Sequence, residues 1–120
     1  MNKRLQGHNN YHDGLAAEEA VARAYLRDGG VVVARRWRGL AGEVDLIVRS
    51  GAALVAVEVK KARDFARAAE SFNVRQLGRI MSALEEFVEG EPAGALTPVR
   101  IDLAMVNQRG ETEILENVSL

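Results

Sequence analysis

An α/β domain in the order helix, three strands, helix, two strands is what this sequence predicts, on three observations. Helical apolar spacing recurs around residues 14–28 and 74–88, short β-rich runs lie between and after them, and Gly or Pro marks the boundaries. At 120 residues the chain is one domain, large enough to bury about 65% of its surface in a single core. Residues 1–12 are polar and expected to be a mobile head, which leaves 13–120 as the folded unit.

Each element has its own signal. Asp13 can cap a first helix over residues 14–28, and Gly29-Gly30 ends it with the residues best able to turn left-handed. Residues 31–38 read as a strand. Two apolar runs follow, Gly42-Glu43-Val44-Asp45-Leu46-Ile47-Val48 and Val55-Ala56-Val57-Glu58-Val59-Lys60, with Ser50-Gly51 as the turn that would make them a hairpin. Residues 62–72 fit either a loop or a short helix. Asn73 with Gln76 resembles a capping box opening a second long helix, whose apolar positions are Leu77, Ile80, Met81, Leu84, Phe87 and Val88. Gly90 and Pro92 stop it. Residues 99–106 set Val, Ile, Leu and Met against Arg100, Asp102 and Ala104, and a last strand is expected near residues 111–116.

Composition excludes several classes. With no cysteine there is no disulfide framework and no thiolate zinc site. No signal-peptide or membrane-length apolar run is visible, which gives a cytoplasmic expectation and no membrane partner. Aromatics are 5% of the chain, too few for a base-stacking platform. The net charge of -1 conceals a gradient: residues 1–82 carry 14 Lys and Arg against 9 acids, and residues 83–120 carry 2 against 8. Arg35, Arg36, Arg38, Lys60, Lys61, Arg63, Arg67, Arg75 and Arg79 thus bracket the two apolar runs with bases able to hold a polyanion such as DNA, although any one of them also fits an ordinary solvated face.

Within those runs the spacing carries chemistry. Period 2 places Asp45 on the same side of its strand as Glu43 and Ile47, and Glu58 with Lys60 on one side of theirs. A hairpin would bring two carboxylates and an ammonium onto one patch, the hardware for setting a divalent cation and a water against a phosphodiester. Mg²⁺ takes oxygen ligands at about 2.1 Å and keeps several waters; Asp45 and Glu58 suit it, and Mn²⁺ as well. Lys60 can steady an attacking hydroxide or a phosphate oxygen. On the first helix, Glu18 projects into the apolar face made by Leu15, Val21, Tyr25 and Leu26, so it needs a partner, either an arginine or backbone donor or the same cation site. Glu19 lies toward the edge, four residues before Arg23, where a surface pair is worth roughly 0.3 kcal/mol. Glu43 is an auxiliary candidate or a plain surface acid.

Other residues divide less evenly. His8 and His12 sit four apart in the polar head and read as solvated. Trp37 between Arg36 and Arg38 could stack on a base but reads more simply as packing. Arg75 and Arg79 form a stripe, continued by Ser82, that tracks phosphates or is a solvated face.

The set of Gly14 with Glu18 on a helix, then Gly42-Glu43-Val44-Asp45-Leu46-Ile47 and Val57-Glu58-Val59-Lys60 on strands, resembles the YraN-like family of small bacterial proteins with the restriction-endonuclease-like fold, over about residues 14–106. More broadly Asp45, Glu58 and Lys60 resemble the PD-(D/E)XK nuclease signature, and the acidic first helix is similar to that of archaeal Holliday junction resolvases. The resemblance implies a three-layer domain with a central mixed sheet flanked by helices. It further implies metal-dependent cleavage of phosphodiesters in DNA, branched DNA or Holliday junctions as a favoured substrate class, and Glu18, Asp45, Glu58 and Lys60 as the catalytic set. A resolvase cutting paired strands needs two active sites, so it implies a homodimer too. Val44 stands where the wider signature has proline, and Lys61, Ala62, Arg63 and Phe65-Ala66 depart from the family's usual loop. The alternative function is a non-catalytic nucleic-acid-binding module of the same fold, and a third is an interaction scaffold.

Overall fold

The computed structural model describes the backbone of residues 3–119 and the side chains of residues 14–119. The roles weighed for His8 and His12 concern side chains outside the described residues. Helix α1 (Lys3–Arg27) is followed by strands β1 (Val31–Arg38), β2 (Glu43–Ser50) and β3 (Ala53–Lys61), helices α2 (Phe65–Glu70) and α3 (Val74–Val88), a 3-10 turn (Gly94–Leu96), and strands β4 (Val99–Val106) and β5 (Thr112–Leu115). The order matches the sequence reading, and the stretch 62–72, which fitted a loop or a short helix, holds the short helix α2 within it.

The five strands form one open mixed sheet in the order β1-β2-β3-β4-β5. Neighbours are antiparallel except β3 and β4, which run parallel with Val55 beside Arg100 and Val57 beside Asp102. The parallel step requires a crossover, and α2 and α3 supply it.

Alternation along the strands sorts the core onto two faces. Ile47, Leu54, Ala56, Ile101, Leu103 and Met105 pack under Ala68, Phe72, Ile80, Ala83 and Leu84 of the α2 and α3 layer. Leu46, Val48, Val55, Val57, Ala104 and Val106 pack under Ala17, Val21, Ala22 and Tyr25 of α1. The molecule is therefore a three-layer α/β domain, the arrangement implied by the restriction-endonuclease-like resemblance. Among the described residues no helix is long and apolar enough to cross a membrane.

Some expectations are corrected. Helix α1 starts at Lys3 rather than at residue 14, so Asp13 lies inside the helix instead of capping it; no proline interrupts residues 3–13, and nothing local stops the helical backbone there. Its other end behaves as expected, with Gly29 at φ 88° and the N–H groups of Gly29 and Gly30 donating to Leu26 and Tyr25 carbonyls. Leu26 and Met81, placed on buried faces by periodicity, are substantially exposed, because each sits at the margin of its helix's contact stripe. Strand β4 is buried along residues 101–106 on both sides rather than on alternate ones. As an interior strand under helices on both faces, it has no solvent side.

The capping box of α3 is present as read. Asn73 accepts from the Gln76 N–H at 2.9 Å, and the Asn73 N–H donates to the Gln76 side chain at 3.1 Å.

Candidate metal and nucleic-acid site

Strands β2 and β3 are paired from Ser50 beside Ala53 as far as Leu46 beside Val57, and there the ladder stops. Beyond that point the Val59 N–H has no β2 carbonyl and donates instead to Asp45 Oδ2 at 2.8 Å. The carboxylate fills the gap between diverging strands and satisfies a backbone donor that would otherwise be orphaned. The hairpin expected from Ser50-Gly51 is present, and its open end is where the acidic side chains gather.

Glu58 is the next residue along β3 and is buried. Two positions on, Lys60 shares its side of the strand, and its Nζ lies 3.4 Å from Glu58 Oε1. A buried carboxylate without a cation would be costly, so this pair is a requirement of the fold as well as an option for chemistry.

Asp45 shows most clearly that the acids converge. Its carboxyl is pushed from 3.8 up to about 7, first by burial and next by the Glu58 charge, with smaller contributions from Glu18 and Glu43 and with the Val59 N–H acting in the opposite direction. Glu43 and Asp45 come from β2, Glu58 from β3 and Glu18 from α1 on the other face of the sheet. The splayed strand ends let groups from both faces act on one carboxyl.

The helix acid is Glu18. Its side chain keeps 16% of its exposure against 48% for Glu19, as expected for a carboxylate on the sheet-facing side of α1. Of the partners open to it, the structure shows an arginine: Arg36 Nε donates to Glu18 Oε2 at 3.1 Å. Glu19 pairs with Arg35 at 3.1 Å and not with Arg23, because the neighbouring strand β1 offers a cation directly across from α1.

Arg36 has a feature that sequence could not reveal. Its φ is 49°, a left-handed conformation that costs a non-glycine residue roughly 1 kcal/mol or more. Its neighbours Arg35 and Trp37 stand beside Leu46 and Val44, so Arg36 is at the level of Asp45. From this position its guanidinium reaches Glu18 on α1.

The remaining candidates are spread around this center. Glu43, half-buried, pairs with the exposed Arg38 at 3.8 Å. Lys61 and Arg63 are exposed at the end of β3 and just after it, and Arg75 and Arg79 are exposed on α3. Arg79 also touches the site's rim: a Cβ on Gly42 would lie 2.8 Å from Arg79 Cδ, and Gly42 has φ 143°, so this turn into β2 is built for glycine. Trp37 packs edge-on against Phe87 at 5.3 Å, the packing role rather than a base platform.

Among the described residues no three His, Asp or Glu side chains already surround one cation position. Glu18 is turned to Arg36, Glu58 to Lys60, and one Asp45 oxygen to Val59. The donor chemistry nevertheless fits a hard divalent ion: all donors are carboxylate oxygens, and Asp45 is held in a form whose ionisation an added positive charge would favour.

One residue that the sequence placed on the polar side of its strand is buried. Asp102 is 0% exposed and accepts from the Tyr25 hydroxyl at 2.7 Å, Arg100 Nε at 3.0 Å and the Asn117 N–H at 3.0 Å. Burial, followed by the bond to Asp102, raises the Tyr25 hydroxyl far above its ordinary value, and the bond to Asp102 raises Arg100. The cluster fastens α1, which carries Glu18, to β4 and to the C-terminal segment. Only the Arg100-x-Asp102 spacing, which puts both on one side of a strand, could have hinted at it.

Comparison with known proteins places the chain in a family. The family described as "Uncharacterised protein family UPF0102" matches residues 17–106. Similar chains include a UPF0102 protein of Cereibacter sphaeroides, 52% identical over 113 residues, covering 94% of this chain and 97% of that one. Another, from Ruegeria pomeroyi, is 54% identical over 112 residues, covering 93% and 91%. A third, from Dinoroseobacter shibae, is 47% identical over 107 residues, covering 89% and 80%. The chain belongs to the UPF0102, or YraN, family.

Proposed function

We propose that this UPF0102-family chain is a metal-dependent nuclease that hydrolyses phosphodiester bonds in DNA, with Asp45 and Glu58 holding Mg²⁺ or Mn²⁺. The observation that carries the reading is the convergence of Asp45 and Glu58 at the splayed end of β2 and β3, with the Lys60 ammonium 3.4 Å from Glu58. A hard divalent ion bound there supplies an activated water and offsets charge on the phosphorane-like transition state. Asp45 and Glu58 present oxygen donors from rigid strands, and Val59, whose N–H fixes Asp45, keeps that carboxylate in place. Lys60 is a compact charge able to hold the attacking hydroxide or a non-bridging phosphate oxygen. Glu18 orients water at the same cluster, and Glu43 adds negative charge at its rim.

Substrate binding falls to the bases around the cluster. Arg35, Arg36 and Arg38 on β1, Lys61 at the end of β3 and Arg63 just after it frame the acids, and a polyanion spanning them would release counterions on binding. Branched DNA and Holliday junctions are the substrate class we favour, on the resemblance to resolvases.

The second reading, a non-catalytic nucleic-acid-binding module, is favoured by one observation: Glu18 and Glu58 already have Arg36 and Lys60 as counter-ions. A cleavage panel of linear, flap and four-way DNA in Mg²⁺ or Mn²⁺ separates the two, with wild type beside Lys60→Ala. Cleavage by wild type and its loss in the variant support the nuclease. Equal DNA binding by both proteins with no cleavage by either supports the binding module.

A further inference from the structure

Helix α3 carries its charges in an order that weakens the helix itself. Arg75 and Arg79 stand in the N-terminal half and Glu85, Glu86 and Glu89 in and just beyond the C-terminal half, with no acid in the first turn and no base in the last. This is the reverse of what the helix dipole favours. Arg75 with Arg79 and Glu85 with Glu89 are also like-charge pairs four residues apart, which repel. Among the described residues none of Arg75, Arg79, Glu85 and Glu89 forms an ion pair.

The same order is self-complementary. At 100° per residue Arg75, Gly78, Ser82, Glu85 and Glu89 follow one another at spacings of three and four along a single exposed stripe, with Arg79 and Glu86 on its flank and Ser82 at its center. Rotating a second α3 by a half turn about Ser82 sets the arginine half of each copy against the glutamate half of the other. A two-fold interface requires this property of a single patch, since the patch must complement itself.

Grooves border the stripe on both sides, the first floored by apolar side chains and the second lined by Glu85, Glu86 and Glu89 beside Leu40 and Ala41. On one side Met81, 41% exposed, opens onto a groove of about 480 Å³ floored by Leu84, Val88 and Val99. On the other a groove of about 350 Å³ runs between Ser82 and Leu40, and Leu40 is 99% exposed at the tip of the β1–β2 turn. That tip is held in place by the Leu40 N–H donating to the Glu86 carboxylate at 3.0 Å. Its exposure thus belongs to a fixed part of the surface. A duplex would meet the three glutamates of this face unfavourably, whereas a second copy meets them with arginines.

We infer that α3 is the docking face for a second copy of this chain, paired antiparallel about Ser82 through Arg75 and Arg79 of one copy and Glu85 and Glu89 of the other. The inference stands apart from the nuclease reading, since it needs neither metal nor DNA and is tested without either. It also assigns Arg75 and Arg79 to the partner copy rather than to phosphates.

The test is light scattering of the purified protein across a concentration series at low and high salt, using two double variants. Wild type should approach twice the 13.1 kDa of one chain at low salt and return toward it near 1 M salt, where screening shortens the Debye length to about 3 Å. Arg75→Glu/Arg79→Glu alone and Glu85→Arg/Glu89→Arg alone should each stay monomeric, and an equimolar mixture should regain the doubled mass. Circular dichroism melts of the variants check that each remains folded, and recovery in the mixture is itself a sign of folded faces. A wild type that stays monomeric at every concentration overturns the inference, and so does a mixture that fails to associate. Loss of DNA binding in the first variant with wild type monomeric would return the arginines to the phosphate track and overturn it equally.

Discussion

Replacing Asp45 by Asn removes one charge from the cluster and little else. The amide keeps the shape of the carboxyl and an oxygen for the Val59 N–H, which Asp45 accepts at 2.8 Å. In the folded protein burial, and then Glu58, raise this carboxyl from 3.8 to about 7. A carboxyl whose folded value lies above its unfolded one favours folding fully below the unfolded value, and that contribution is lost as pH rises through the folded value. The window is therefore about pH 4 to pH 8 for the values at hand. At roughly 1.4 kcal/mol per pH unit the full effect is about 4 kcal/mol, and relaxation and water around a partly buried group reduce what is measured to about 2–4 kcal/mol. Urea unfolding in EDTA at several pH values reads it directly. The variant should match wild type near pH 4 and exceed it by this amount near pH 8, and added Mg²⁺ should then stabilise wild type and not the variant. A stability difference that does not change with pH, or a wild type more stable than the variant at pH 8, would refute the reasoning.

The helix acids should separate cleanly. Glu18→Gln should cut metal-dependent cleavage by an order of magnitude or more while Glu19→Gln changes it less than twofold, because only Glu18 acts on Asp45; equal losses in a cleavage assay would place the helix one residue out of phase. Tyr25→Phe removes one of the donors to a fully buried carboxylate and should cost about 2 kcal/mol in urea unfolding, with no loss if Asp102 were satisfied by Arg100 and Asn117 alone. Gly42→Ala should cost about 1–3 kcal/mol, since φ 143° belongs to glycine, and the contact with Arg79 Cδ can relax because that side chain is flexible; an unchanged unfolding midpoint would show that the turn adapts.

What the sequence determined by itself was the local and the periodic. Residues 31–38 and 99–106 were bounded as strands by apolar pattern and glycine or proline, and the Asn73 and Gln76 box marked the start of α3, because caps and alternation are set by neighbours in the chain. Family membership and the trio of Asp45, Glu58 and Lys60 were legible for the same reason: an ordered motif survives in one dimension, and wheel geometry alone distinguished Glu18 from Glu19. Tertiary structure decided what depends on residues far apart. That Glu18 meets Arg36, that the strand ladder opens at Asp45 so Val59 needs a side-chain acceptor, and that β4 has no solvent face all follow from how the layers stack. Asp102 is the sharpest case: the alternation that made it a polar face residue was correct about direction, and only the packing of α1 over β4 turned that direction into the interior, where Tyr25, Arg100 and Asn117 had to meet it.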